Sequence, residues 1–184
     1  MRLLSDEAVQ KWCQERAIHV DAQRTLRLDG GHYLEITLPE GASRVIALGD
    51  ALLEVAFEEG SGFQGALHWV TGAGIWGSYS ESVALKILEQ MRTAYGGSRP
   101  FSDARGHLFQ ATELLDAQAF LTHSMLFGWD AYLIPAAGEN LVATSHDEVV
   151  YFVARKSAAH QRALERLAPW KARPVDAPAR FRSR

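Results

Sequence analysis

Three apolar runs separated by two polar breaks mark the stretch from Trp129 to Lys156, WDAYLIPAAGENLVATSHDEVVYFVARK, and this pattern predicts a compact antiparallel meander. The first break, Ala136 to Asn140, offers Gly138 for a positive φ. The second, Ser145 to Glu148, is polar throughout between LVAT and VVYFVA. Earlier in the chain, Thr25 to Leu28 and Tyr33 to Leu38 are parted by Asp29-Gly30-Gly31 and read as a hairpin that Pro39-Glu40-Gly41 ends. Ala66 to Thr71, ALHWVT, reads as a buried strand, and a short apolar run follows at His107 to Ala111.

Helical spacing accounts for most of the rest. Ser5 caps a first helix with Asp6 and Glu7 in its opening turn, Leu4 lies where it staples onto Val9, and Val9, Trp12, Cys13 and Ala17 form one stripe. Arg44 to Phe57 fits either a helix, through Val45, Leu48, Leu52 and Val55, or a hairpin about Gly49-Asp50; its Ala, Leu and Glu content favours the helix. Ser78 and Glu81 make a capping box for a helix whose Val83, Ile87, Met91 and Ala94 share a face and which Gly96-Gly97 stops. A further helix runs from about Glu113 to Phe127, capped by Thr112 and closed by Gly128, and Ser157 caps a last one through Leu167 before Pro169.

Strands come early and late, with helices between and after them, which is the order of an α+β domain. The expected sheet is mixed and mostly antiparallel, an N-terminal hairpin plus a C-terminal three-stranded meander, packed by four to five helices mainly on one face. Residues 1–170 make a single domain and 171–184 a basic, flexible tail.

Composition narrows the function classes. With 184 residues, 47% hydrophobic and 22% charged, the chain has enough apolar material for one well-buried core. The formal net charge is -3, but from Lys171 onward five basic residues oppose only Asp176, giving +4 and leaving the body at -7. An acidic body repels phosphate backbones, so general nucleic-acid binding is disfavoured and only the basic tail speaks for it. Cys13 is the one cysteine and reads as a small core residue; no stretch approaches the roughly 18 apolar residues of a membrane helix, so a cytoplasmic protein is expected.

Two motifs invite chemistry. Gly72 to Gly77, GAGIWG, matches the dinucleotide fingerprint between a predicted strand and a predicted helix, but the capping box starts that helix after the third glycine and no strand ending in an acid follows. The loop is better read as a turn that lets Trp69 and Trp76 pack beside the backbone. Ser145-His146-Asp147-Glu148 resembles a triad by composition, yet neighbours in a tight turn cannot converge on one reacting atom, and the seven histidines show no metal-binding spacing. His123 reads as a core-edge histidine. Asp103, Arg105 and His107 form another polar cluster after the capped helix, able to hold an anion or simply to face water. Trp69, Trp76, Trp129 and Trp170 flank predicted elements, as core lids or as binding anchors.

The expectation is a non-enzymatic binding protein that engages a protein partner through acidic loops, with His146, Asp147, Glu148 and Trp129 as contact residues; an inhibitor or immunity-like role is a fold-level analogy. The alternative is a small-molecule-binding protein or enzyme that uses His123, His146, Asp147 and Glu148 near the Gly72–Gly77 loop, with Gly72, Gly74, Gly77 and His123 binding the ligand. Neither a cofactor nor a metal is expected.

Overall fold

The computed structural model describes residues 1–57, 62–72 and 83–178. The described elements follow in the order β1 (Arg2–Leu4), α1 (Asp6–Gln14), β2 (Ile18–Val20), β3 (Leu26–Leu28), β4 (His32–Thr37), α2 (Ala42–Ala56), β5 (Gly65–Gly72) and α3 (Val83–Ala94). They continue with β6 (Gly106–Gln110), α4 (Leu114–Leu126), β7 (Asp130–Pro135), β8 (Asn140–Ser145), β9 (Val149–Ala154), α5 (Ser157–Arg166) and β10 (Arg173–Val175). Eight strands form one sheet in the order β1-β6-β5-β7-β8-β9-β4-β10, and β2 and β3 form a separate ribbon. This is a single-domain α+β fold, and the meander β7-β8-β9 pairs as its apolar runs predict, with Ala131 opposite Thr144 and Leu141 opposite Val153.

Side chains alternate across the sheet, and both faces are covered. On β9, Val150, Phe152 and Ala154 enter a core beneath α2, α3, α4 and α5, while Tyr151 and Val153 enter a second core beneath α1 and the β2-β3 ribbon. Because neither face meets water, the central strands read as continuous apolar runs. Helix α1 begins as expected: the Ser5 hydroxyl accepts from the Ala8 amide, and Leu4 and Val9 share the second core. The Gly106 site explains how closely that helix packs, since a Cβ there would lie 2.4 Å from Val9 Cγ2. No helix among the described residues is long and apolar enough to cross a membrane.

Several expectations are corrected. Arg44 to Phe57 resolves as helix, but the early hairpin does not form: β3 pairs with β2, whereas β4 pairs with β9 along its whole length from His32 opposite Ala154 to Thr37 opposite Val149. Tyr33, Leu34 and Ile36 need cover on both faces, which a two-stranded ribbon cannot supply, so Gly30, at φ 67, turns the chain from ribbon to sheet. Every described pairing is antiparallel, including those of β5, so no parallel crossover is used. Ala17 leaves the α1 stripe in a left-handed conformation; Glu113 and Lys156, not Thr112 and Ser157, sit at the N-caps of α4 and α5. On α3 the core takes Ala84, Leu85, Leu88 and Arg92, while on the face that Val83, Ile87, Met91 and Ala94 share, Val83 is 68% and Ile87 38% exposed and Met91 packs against the core. The tail is docked in part, because Arg173 to Val175 extend the sheet along β4 and Arg173 pairs with Glu35. The Ser78–Glu81 capping box lies outside the described residues.

Candidate functional site

The second break of the meander is a three-residue hairpin tip, His146-Asp147-Glu148, closed by Ser145 opposite Val149. Glu148 carries the left-handed conformation that ends such a loop, at φ 59, and its amide donates to the Ser145 carbonyl at 3.2 Å. A glutamate there costs about 1 kcal/mol relative to glycine, so the tip keeps a charge where local preference asks for none. The Leu38 amide donates to the Glu148 carbonyl at 2.8 Å and ties the neighbouring β4–α2 loop to the tip.

Asp130, at the start of β7, is the residue that organises this tip, and sequence reasoning missed it. Its carboxylate accepts from the His146 amide at 3.2 Å and pairs with the His146 ring at Nδ1, 2.8 Å away. The other ring nitrogen, Nε2, lies 3.6 Å from an Asp147 oxygen, so the imidazole stands between two carboxylates. Gly72 makes room for the arrangement: a Cβ there would sit 2.9 Å from Asp130 Oδ2, at a β-bulge between β5 and β7. Its role is therefore close packing against Asp130. Gly74 and Gly77 lie outside the described residues. Ser145 is buried and its hydroxyl bonds Asp147, accepting from the Asp147 amide at 3.3 Å, so it is a turn group and not a nucleophile held by His146.

Comparison of the chain with known protein families, curated proteins and solved structures finds no match. The site's own geometry has to carry the reading.

Trp129 is a core residue. It is 2% exposed, its ring stands edge-on to His123 at 4.8 Å and near Phe101 at 6.1 Å, so the indole offers no surface to a partner. His123 is likewise buried, against Phe127 and Trp129, and burial holds its pKa down to about 4, opposed by a hydrogen bond to the Ala84 backbone. Among the described residues His123 makes no hydrogen bond or ring contact with His146, so the histidines of the alternative reading do not converge. What does stand beside the tip is apolar: the C-terminal end of α4 exposes Leu126 and Phe127, and a Cβ on Gly128 would come within 4.0 Å of the His146 backbone.

A second polar cluster was also missed. His68 on β5 lies directly opposite His107 on β6, both fully buried; their Nδ1 atoms are 3.4 Å apart, and His68 Nε2 lies 3.0 Å from the hydroxyl of Ser124 on α4. The serine-histidine contact has the form of an activated nucleophile, but burial pushes the His68 pKa down to about 3, and a neighbouring histidine takes the place of an orienting carboxylate. It is a core network. The strands LHWV and GHLFQ carried the signal, an inward-facing histidine in each, once their pairing is known. Cys13 is inert as well, its thiol pushed up to about 12 by burial. No three metal-binding side chains gather among the described residues.

Proposed function

We propose that this chain is a non-enzymatic binding protein that engages a protein partner through the acidic tip at His146, Asp147 and Glu148 together with the apolar shoulder at Leu126 and Phe127. The observation that carries the reading is the clamp of Asp130 on both the amide and the ring of His146, which holds the tip in one conformation while Asp147 and Glu148 stay exposed. A tip ordered before binding loses little entropy when a partner docks, and exposed apolar side chains beside fixed charges have the anatomy of an interface core and its rim. An inhibitor or immunity-like role is compatible with such a surface.

Affinity capture from the native host, with the wild-type protein and three variants as baits, tests this. A partner retained by the distant Lys86→Ala variant and lost by Asp147→Ala/Glu148→Ala and by Phe127→Glu supports the proposal, provided all baits keep their melting temperature. Equal capture by every bait refutes it.

The Asp130–His146 pair favours one other reading, in which Asp130 orients His146 as a general base for a small-molecule reaction. Under that reading Asp130→Asn abolishes turnover with the fold intact. The capture pattern would then be indifferent to Phe127.

A further inference from the structure

Helix α4 is apolar on more sides than the core uses. Ala117, Phe120, Leu121 and Met125 face inward, yet Leu115 is 75% exposed and Leu126 is 40% exposed. A soluble helix usually keeps one apolar stripe, and exposed leucines grouped beside it form a surface that a partner can cover. Here that side is an open groove of about 430 Å³ walled by Ile46 of α2, Met91 of α3 and Leu115, Ala119, His123 and Leu126 of α4. The α2 and α4 walls are close because Gly49 lets the helices meet, a Cβ there falling 2.9 Å from Thr122 Oγ1.

Three observations define an occupant. The groove is open and shallow instead of an enclosed cavity, a shape that receives a large side chain presented on a partner's surface better than it buries a free small molecule. His123, in the wall and 94% buried by its 6% exposure, has no hydrogen-bond partner at Nε2 among the described residues. With the backbone hydrogen bond to Ala84 and a neutral ring, Nε2 is an acceptor awaiting a donor. Acidic groups stand near the groove: Asp50, bonded to the groove residue Gln118, on one side, and Asp147 and Glu148 of the tip that adjoins the Leu126 end.

We propose that this groove receives a basic amphipathic helix of a protein partner, which inserts one tryptophan or tyrosine side chain so that its N–H or O–H donates to His123 Nε2. The inference rests on the protein-binding reading above and adds the partner's chemistry. An aromatic ring with a polar handle satisfies the apolar walls and the orphan acceptor at once, and the partner's basic flank meets the acidic margins. Nε2 has almost no accessible surface, so the proposed hydrogen bond requires one wall side chain to turn aside as the ring enters.

Indole and benzothiophene, the same shape without an N–H, are the first probes. Saturable shifts of the Ile46, Met91 and Leu115 methyl signals and of the His123 ring nitrogens are expected with indole, with benzothiophene about fivefold weaker for the missing hydrogen bond. His123→Phe should make the two probes equal, and Ala119→Trp, at an exposed position, should block both without loss of fold. A short Lys-rich amphipathic peptide bearing one tryptophan should outcompete indole, and its Glu-rich counterpart should not bind. Asp147→Ala/Glu148→Ala should weaken the Lys-rich peptide and leave indole untouched. Indole shifts elsewhere or nowhere, equal binding of the two peptides, or a self-association that Ala119→Trp abolishes would each overturn the groove proposal. A captured partner lost by the tip variant but kept by Ala119→Trp would overturn it too, while leaving the protein-binding reading standing.

Discussion

Acid should unfold this protein through its histidine core before its carboxylates titrate. His68 and His107 are wholly buried, and the charges acting on them are all positive: His123 on His68, and His68 and Arg92 on His107. Phe120 packs on both rings, 4.8 Å from His107 and 5.8 Å from His68. Burial brings His68 to about 3, His123 to about 4 and His107 well below the ordinary histidine value. A histidine whose folded pKa is depressed binds fewer protons folded than unfolded. Its stabilising contribution is therefore complete above the unfolded value near 6.5 and is lost as pH falls from there toward the folded value.

Between pH 7 and pH 5 one such histidine costs about 2 kcal/mol, and the three together roughly 5 to 6 kcal/mol, as much as the whole stability of many domains. Urea unfolding at pH 7, 6 and 5, read by the fluorescence of the buried Trp69 and Trp129, measures the slope. The variant His68→Leu/His107→Leu/Ser124→Ala removes the network with no partner left unpaired apart from the groups it replaces. It should be within about 1.5 kcal/mol of wild type at pH 7 and lose about 4 kcal/mol of the acid sensitivity, the share of two histidines. A wild-type stability that is flat from pH 7 to 5, or a variant with the full wild-type slope, would refute the reasoning.

Other expectations follow from single positions. Glu148→Gly relieves the left-handed strain at the tip and should stabilise by about 1 kcal/mol, whereas Glu148→Val should cost about 1 to 2 kcal/mol; equal effects in thermal melts would mean the tip is not held at φ 59. Gly106→Ala should cost about 1 to 3 kcal/mol by pressing on Val9, and Val9→Ala in the same chain should recover part of it, a coupling that a double-mutant cycle would reveal. Truncation after Lys171 removes β10 and should lower stability by about 1 to 2 kcal/mol, or roughly 2 to 8 °C of Tm, where a free tail would change nothing.

The elements that were legible are those whose signals are local. The meander declared itself by three apolar runs and two turns, α1 by its cap, and α2 by residues that outvote a Gly-Asp pair. What stayed hidden depends on partners far away in sequence. Whether β4 pairs with β3 or with β9 is decided by which arrangement covers both faces of Tyr33, Leu34 and Ile36, and no window of the chain contains that competition. The tip illustrates the same limit: His146, Asp147 and Glu148 are read from one tetrapeptide, but the Asp130 that holds them sits 16 residues away from His146 across a strand pair. His68 and His107 meet across 39 residues, and in sequence His107 grouped with Asp103 and Arg105 in a polar cluster instead of with His68 in the core.

Helix α3 carries two apolar stripes. Val83, Ile87 and Met91 fall at helical spacing and share a face, but the core packs Ala84, Leu85 and Leu88 of the adjoining face, and of the first stripe only Met91 touches it. Both stripes exist, and helical spacing alone does not say which of them the sheet buries. Helix α4 repeats the pattern, with Phe120 and Leu121 inside and Leu115 and Leu126 out. Two neighbouring helices that each carry an apolar stripe beyond what their own core buries, with Met91 and Leu115 in one groove, expose surface that water disfavours at about 25 cal/mol per Å². A monomer gains nothing from such exposure, and a partner that covers it removes the penalty. The exposed stripes therefore argue in the same direction as the orphan acceptor of His123, toward the proposed partner helix as the cover of this surface.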